Sequence, residues 1–298
     1  MFNGAIGIKI LVLGASGVVG THMVREFEKE NEVVTASKTP KSSHYAIDAA
    51  DPRELSLLIN KIAADVVVNA IKPPLSTDMM EENKKAAYEA NTLVPENLAF
   101  LQKKHGFALL HISSGWVYEG REGETYTEES LVYPKNYYSF TKALAEERIA
   151  AQADDYLILR TDGVFGMDRK GTNLFLRIRD SAKEGKMVLL ATDQFSQPIC
   201  GSELARVASL LIKKRKMGIY NVVGQEYMDR HAFGRKVCER FGFKAKLRPF
   251  LSKERPLAIP RFLRMSIKKA ETQIGKIRTL EEQFDELDRE WLHDNEKA

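Results

Sequence analysis

Cysteine is almost missing from this 298-residue chain. The two present, Cys200 and Cys238, form no CxxC and have no histidine at a metal-ligand spacing. That scarcity excludes a disulfide scaffold and a cysteine-built structural metal site. Long apolar runs are lacking as well. The longest clean run near the start, Ile10 to Leu13, falls far short of the roughly 18 residues a membrane span needs. No apolar stretch leads into a small-residue cleavage site of the kind a signal peptide carries. The expectation is a cytoplasmic protein that does not cross a membrane and holds no structural metal. The 19 glycines and 10 prolines are scattered, so collagen-like, low-complexity and disordered classes are also out. What remains, 44% hydrophobic and 29% charged residues, is an ordinary globular composition. At about 150 residues per domain, the length suits one large α/β domain or two lobes sharing a cleft.

The net charge of +4 conceals an uneven distribution, because residues 211–278 alone carry 19 basic and 5 acidic groups. A surface of this kind attracts anions. Part of the excess, Lys213 to Lys216, ends a helix-like segment, where cations suit the dipole. The basic third has no helix-turn-helix signature, metal-finger spacing or aromatic stacking platform, so nucleic acid is not an expected partner.

Short β-branched runs alternate with longer amphipathic segments through the first 165 residues. That alternation predicts βαβ units and a doubly wound parallel sheet. Strands are expected at Ile8 to Leu13, Glu32 to Ala36, near His44 to Ile47, and at Asp65 to Ala70, Ala108 to Ser113 and Tyr156 to Arg160, with helices near 18–30, 52–63, 80–104 and 136–153. Residues 1–165 therefore read as a dinucleotide-binding Rossmann domain and 166–298 as mainly a smaller substrate-binding lobe, with segments near 187–223 able to return to the first. Leu280, Phe284, Leu287 and Trp291 repeat at helical spacing, which predicts a final helix with one packed face.

Directly after the first strand comes Gly14-Ala15-Ser16-Gly17-Val18-Val19-Gly20. Glycines at a strand-to-helix junction allow a sharp turn, bring backbone N–H groups close to a pyrophosphate and let helix and strand pack tightly. The helix terminus behind them favours an anion. Gly14, Ser16, Gly17, Val18, Val19 and Gly20 are thus candidate cofactor contacts. Farther along, Tyr138 and Lys142 stand one helical turn apart, and Ser114 ends a strand at the sheet edge where such folds bind ligands. A phenol with an ordinary pKa near 10 becomes a usable proton shuttle when an ammonium favours its ionised form. Lys142 can supply that charge and Ser114 can hold a carbonyl oxygen, which makes the three a candidate catalytic set for hydride-coupled reduction.

The GxxGxxG spacing resembles the extended branch of the short-chain dehydrogenase/reductase superfamily. Several strings are similar to its dTDP-4-dehydrorhamnose reductase family, among them His111 to Gly120, Pro134 to Glu146, Leu159 to Gly166, Asp193 to Pro198 and Arg255-Pro256. The resemblance implies an NAD(P)-dependent reductase of a nucleotide-linked 4-keto-6-deoxysugar, with Ser114, Tyr138 and Lys142 catalytic and the sugar nucleotide held mainly by the C-terminal part. It further implies cofactor contacts at Asp48, Asn69, Ala70 and Ile71, and substrate contacts at Ser114, Gly115, Trp116, Gly163, Gln197 and Arg255. Where that superfamily usually carries an acidic residue after the second strand, this chain has Ser37 and Lys38. Both can bind a 2′-phosphate, so NADP is preferred and NAD remains open. Gly163 stands in place of the family's Trp, Gly115 in place of its Asp, and Lys72-Pro73-Pro74 interrupts a usual sequence. These departures lie where the sugar ring is expected. Two other readings stay open: an epimerase or dehydratase with retained NAD, and a non-catalytic dinucleotide-binding regulatory subunit. A homodimer through Pro134 to Asn136 or the last helix is open too.

Overall fold

The computed structural model describes residues 7–38, 43–168 and 171–296. The strands are β1 (Lys9–Leu13), β2 (Glu32–Ser37), β3 (Tyr45–Ala46), β4 (Val66–Asn69), β5 (Ala108–Ser114), β6 (Tyr156–Thr161), β7 (Val164–Phe165), β8 (Met187–Ala191), β9 (Phe195–Ser196), β10 (Ile199–Cys200), β11 (Gly218–Asn221), β12 (Met228–Asp229) and β13 (Lys246–Phe250). The helices are α1 (Val18–Phe27), α2 (Pro52–Ile62), α3 (Thr77–Glu82), α4 (Lys84–Tyr88), α5 (Val94–His105), α6 (Tyr137–Gln152), α7 (Leu174–Glu184), α8 (Gly201–Lys213), α9 (Arg230–Phe241), α10 (Lys268–Ile274) and α11 (Leu280–Glu296).

Seven strands form one sheet in the order β11-β6-β5-β4-β1-β2-β3, every pair parallel. This is the doubly wound α/β fold. Its central strands are apolar on both faces, as a sheet covered on both sides requires. In β1, Ile10 and Val12 pack towards α1 and α8 with Met23, Phe27, Leu204 and Val207. Leu11 and Leu13 alternate to the other face, against Leu55 and Leu58 of α2 and Leu98 of α5. β11 lies beside β6 in this sheet, whereas β8 pairs with β13 in a separate two-stranded sheet. A second core of Phe165, Phe175, Phe233 and Phe284 joins α7, α9 and α11. There Leu280, Phe284 and Leu287 form the buried stripe of the last helix. Among the described residues, no helix is long and apolar enough to cross a membrane.

The helix expected over 80–104 is broken. At Asn83 the backbone leaves the helical region (φ −109°, ψ 52°) between α3 and α4. A π-helical turn, Glu89–Leu93, then precedes α5, whose first turn carries Pro95. Proline has no N–H to continue the hydrogen-bond ladder, so the register shifts just before it. The turn is used, because Asn91 Nδ2 donates to Thr141 Oγ1 (3.1 Å) and Thr92 Oγ1 to the Thr141 carbonyl (2.8 Å). Both tie α6 to this segment.

A buried polar network fastens the other side of α6. Arg160 of β6 meets Glu146 of α6 through Nε–Oε2 (3.0 Å) and Nη2–Oε2 (2.6 Å), with both side chains almost fully buried. Ser113 of β5 also donates to Glu146, and Arg160 Nη1 donates to the Tyr118 hydroxyl at 2.7 Å. Burial alone would lower the pKa of Arg160, but Glu146 outweighs it and holds the guanidinium charged. Removing one partner from a desolvated pair strands the other charge. Glu146→Gln is therefore expected to lower unfolding stability in denaturant titration by about 3–5 kcal/mol; unchanged stability would show that the pair does not hold α6 to the sheet.

Candidate active site

A cleft of about 610 Å³ opens at the carboxyl ends of the strands, walled by the chain after β1, β4, β5 and β6. The sheet order reverses between β1 and β4, and doubly wound folds bind ligands at that point. A larger cavity of about 1280 Å³ lies at the opposite edge, around Ile8, Asp65, Phe107 and Asp155. None of the expected site residues lines it.

Gly14 turns the chain from β1 towards α1 with φ +83°, and a Cβ there would lie 2.7 Å from the Ala70 carbonyl carbon. Gly20 packs as tightly on Gly14. These two glycines seat the helix on the strand, and Ser16 lies in the turn outside the cleft lining. Gly17, Val18 and Val19 face the cleft. No side chain caps α1, so its first N–H groups are left for an external acceptor. An uncapped helix terminus approached through a residue without a side chain fits a dinucleotide pyrophosphate.

The second strand leads to a different arrangement from the one expected. Lys38 is 78% exposed and pairs with Asp48 (Nζ–Oδ2 2.6 Å). The two proposed cofactor contacts thus engage each other, and Asp48 also accepts from the Ala50 N–H (3.2 Å). Exposed pairs of this kind contribute about 0–1 kcal/mol, little enough for a phosphate to displace. Ser37 and Ser43 hydroxyls are 2.9 Å apart. Asn69 is a correction: it is buried, its Oδ1 accepts from the Ile71 N–H (3.2 Å) and its amide meets His111 (3.2 Å). It shapes the loop, whereas Ala70 and Ile71 line the cleft.

Ser114, Tyr138 and Lys142 do converge on the cleft. Ser114 ends β5, and its hydroxyl accepts from the Trp116 N–H (3.2 Å). Tyr138 and Lys142 come from the first turns of α6, which a reciprocal Asn136–Ser139 capping box starts. Lys142 Nζ donates to the Ile112 carbonyl (3.0 Å). Burial pushes the Tyr138 phenol up to about 12, against the Ser114 hydroxyl, and Asp162 raises it further. Burial, with Lys72 adding to it, brings Lys142 down to about 8. The expected acidification of the phenol by the amine is therefore reversed here. Burial sets the shift of the phenol, and the Lys142 ammonium is turned towards a backbone carbonyl.

The expected sugar contacts divide. Gly163 lines the cleft at φ +60°. Trp116 stands edge-on to Tyr138 (centroids 5.8 Å, 76°) and supports it from outside the lining. Gly115 is covered by Met265, whose Sδ would lie 2.5 Å from an added Cβ. Gln197 is structural, accepting from the Met265 N–H (2.6 Å) and donating to the Gly224 carbonyl (3.0 Å). Arg255 is bound to Asp78 and lies outside the lining. Besides Lys72 and Lys142, the cleft is lined by charged residues the motifs did not single out, among them Asp162 after β6, Arg177 on α7 and Arg230 at the start of α9. Only the general basic surplus of the last third pointed towards Arg230. No cluster of three metal-ligating side chains occurs among the described residues.

The chain is 26% identical over 254 residues to the spore coat polysaccharide biosynthesis protein SpsK of Bacillus subtilis, covering 85% of this chain and 86% of that one. It is 30% identical over 198 residues to a dTDP-4-dehydrorhamnose reductase of Burkholderia thailandensis, covering 66% and 63%. The crystal structure of the Bacillus anthracis dTDP-4-dehydrorhamnose reductase in complex with NADP superposes with a TM-score of 0.86 at 20% identity, covering 96% of this chain and all of that one. The model of the RmlD substrate binding domain matches residues 8–290, and the chain belongs to that family.

Proposed function

We propose that this protein is an NADPH-dependent reductase of a nucleotide-linked 4-keto-6-deoxysugar. The observation that carries the reading is the convergence of Ser114, Tyr138 and Lys142 on one cleft with the uncapped start of α1. Relatives named as dTDP-4-dehydrorhamnose reductases, one solved with NADP, support it. Gly17, Val18 and Val19 would hold the pyrophosphate, and Lys38, released from Asp48, the 2′-phosphate. The nicotinamide, when bound, supplies hydride to the carbonyl carbon.

The chain's own residues handle the proton. Ser114 orients the carbonyl oxygen through a hydrogen bond. Tyr138 stays protonated across the neutral range, since burial holds it near 12, and it gives its proton to the alkoxide oxygen as charge develops there. Lys142, largely charged at neutral pH with its pKa near 8, offsets the phenolate that remains. Arg230 and Arg177, both on the cleft wall, take the diphosphate contact first expected of Arg255.

NADPH oxidation is expected only when a 4-keto sugar nucleotide is present, measured over a panel of UDP-, dTDP-, GDP- and CDP-linked keto-sugars. Tyr138→Phe should reduce that turnover by about 10²- to 10⁴-fold, with the NADPH dissociation constant nearly unchanged. Full turnover by the variant would remove the phenol from the reaction. The pH profile follows from the amine. The active form carries protonated Lys142, so kcat/KM for reduction should hold below about pH 8 and fall as pH rises through it. Lys142→Met should lack this limb. A limb that persists in the variant would belong to another group.

A further inference from the structure

Two carboxylates line the cleft among the described residues, and one is already committed. Asp229 caps α9, accepting from the Ala232 N–H at 2.8 Å. Among the described residues Asp162 closes no ion pair, although it lies in the chain just after β6 and Arg230 faces it. Register places it near Ser114. Ser114 pairs with Thr161 across β5 and β6, so Asp162 is the next residue outward on the neighbouring strand. An added Cβ on Gly115 would lie 3.7 Å from the Asp162 Cβ, so Asp162 stands beside the residue that follows Ser114, and both Asp162 and Ser114 line the cleft.

The groups around Asp162 select a ligand chemistry. An ionised carboxylate offers about four acceptor positions. Ser196, Trp116 and the Gly163 N–H favour its ionised form together with Arg230, against a burial that raises its pKa. These three donors leave room for about one more. Thr161 lines the same wall, and its buried hydroxyl has no hydrogen-bond partner among the described residues. An acceptor with an open position beside an unused hydroxyl matches a sugar hydroxyl, which donates and accepts at once. An ammonium is disfavoured by Arg230 and Lys72, which border the same space.

Neighbouring strands are about 4.8 Å apart. Side chains from two strands that far apart can converge on two neighbouring oxygens of one ring, one held at Ser114 and the other a hydroxyl on the adjacent ring carbon. In a 4-keto-6-deoxysugar, that neighbour is the 3-hydroxyl, since the other adjacent carbon bears the methyl group and the ring oxygen. Building on the reductase reading, we infer that Asp162, assisted by Thr161, is a specificity-determining residue that accepts a hydrogen bond from the hydroxyl next to the carbonyl, so that the enzyme takes 3-hydroxy substrates and rejects 3-deoxy ones.

The experiment compares a 4-keto-6-deoxysugar nucleotide with its 3-deoxy counterpart, using wild type, Asp162→Ala, Asp162→Asn and Thr161→Val, with NADPH binding as the check on folding. A site built around a substrate hydroxyl discriminates strongly against the analogue that lacks it. Wild type should therefore prefer the 3-hydroxy sugar by about 100-fold or more in kcat/KM. Asp162→Ala should bring that ratio to within about threefold, the loss falling on the 3-hydroxy substrate, because the acceptor is gone. Asp162→Asn and Thr161→Val should give intermediate ratios. Should Asp162→Ala fail to bind NADPH, the Asn variant decides. Equal efficiency of wild type on both sugars, or a ratio untouched by the substitutions, overturns the assignment of Asp162 while leaving the reductase reading in place. A wild-type protein that binds NADPH but reduces neither sugar overturns the reductase reading, and this inference with it.

Discussion

The contact between Glu146 and Arg160 fixes where everything else in the cleft can stand. Tyr138, Lys142 and Glu146 recur every four residues along α6, so they share one face of the helix. The last of them is locked to β6 through Arg160 and to β5 through Ser113. Each locking residue is followed immediately by one that borders the cleft: Ser113 by Ser114, Arg160 by Thr161. The pair therefore sets both the rotation and the height of α6 against the two strands. A buried ion pair is weak as a source of net stability, because desolvation consumes most of its Coulombic gain. What it contributes here is a single allowed register.

Burial has a second consequence, on protonation. The enclosure that lets α6 dock against β5 and β6 takes water away from both Tyr138 and Lys142, disfavouring the charged form of each. The phenol is held protonated and the amine is held near the point of losing its proton. That combination suits delivery of a proton to an alkoxide better than its removal from an alcohol. It also differs from a picture in which the amine simply acidifies the phenol, because the Lys142 ammonium is directed to the Ile112 carbonyl.

The features legible in the sequence were those written in local spacing. The glycines after β1, the Tyr138–Lys142 interval and the apolar strands each follow from the geometry of one turn or one strand. Ser114 could be placed because it ends a strand of evident β pattern. What escaped depends on contacts between distant segments. Gln197 and Asn69 look like ligand contacts by their place in a motif, yet their amides are consumed by the Met265, Gly224 and Ile71 backbones and by His111. Arg255 is claimed by Asp78, 177 residues away. Asp162, Arg177 and Arg230 carry no spacing signal, since each reaches the cleft from a different element. The broken helix before α5 was hidden because no glycine or proline marks Asn83, and the effect of Pro95 on the preceding turn is not periodic.

Following the label from NADPH that carries deuterium at both C4 positions tests most directly whether this cleft performs a net reduction. The account predicts that every molecule of product carries deuterium on the carbon that had been the carbonyl, with oxidised cofactor formed in equal amount. Product without the label, or turnover that leaves no oxidised cofactor, would contradict it and point instead to an enzyme that borrows the hydride and returns it.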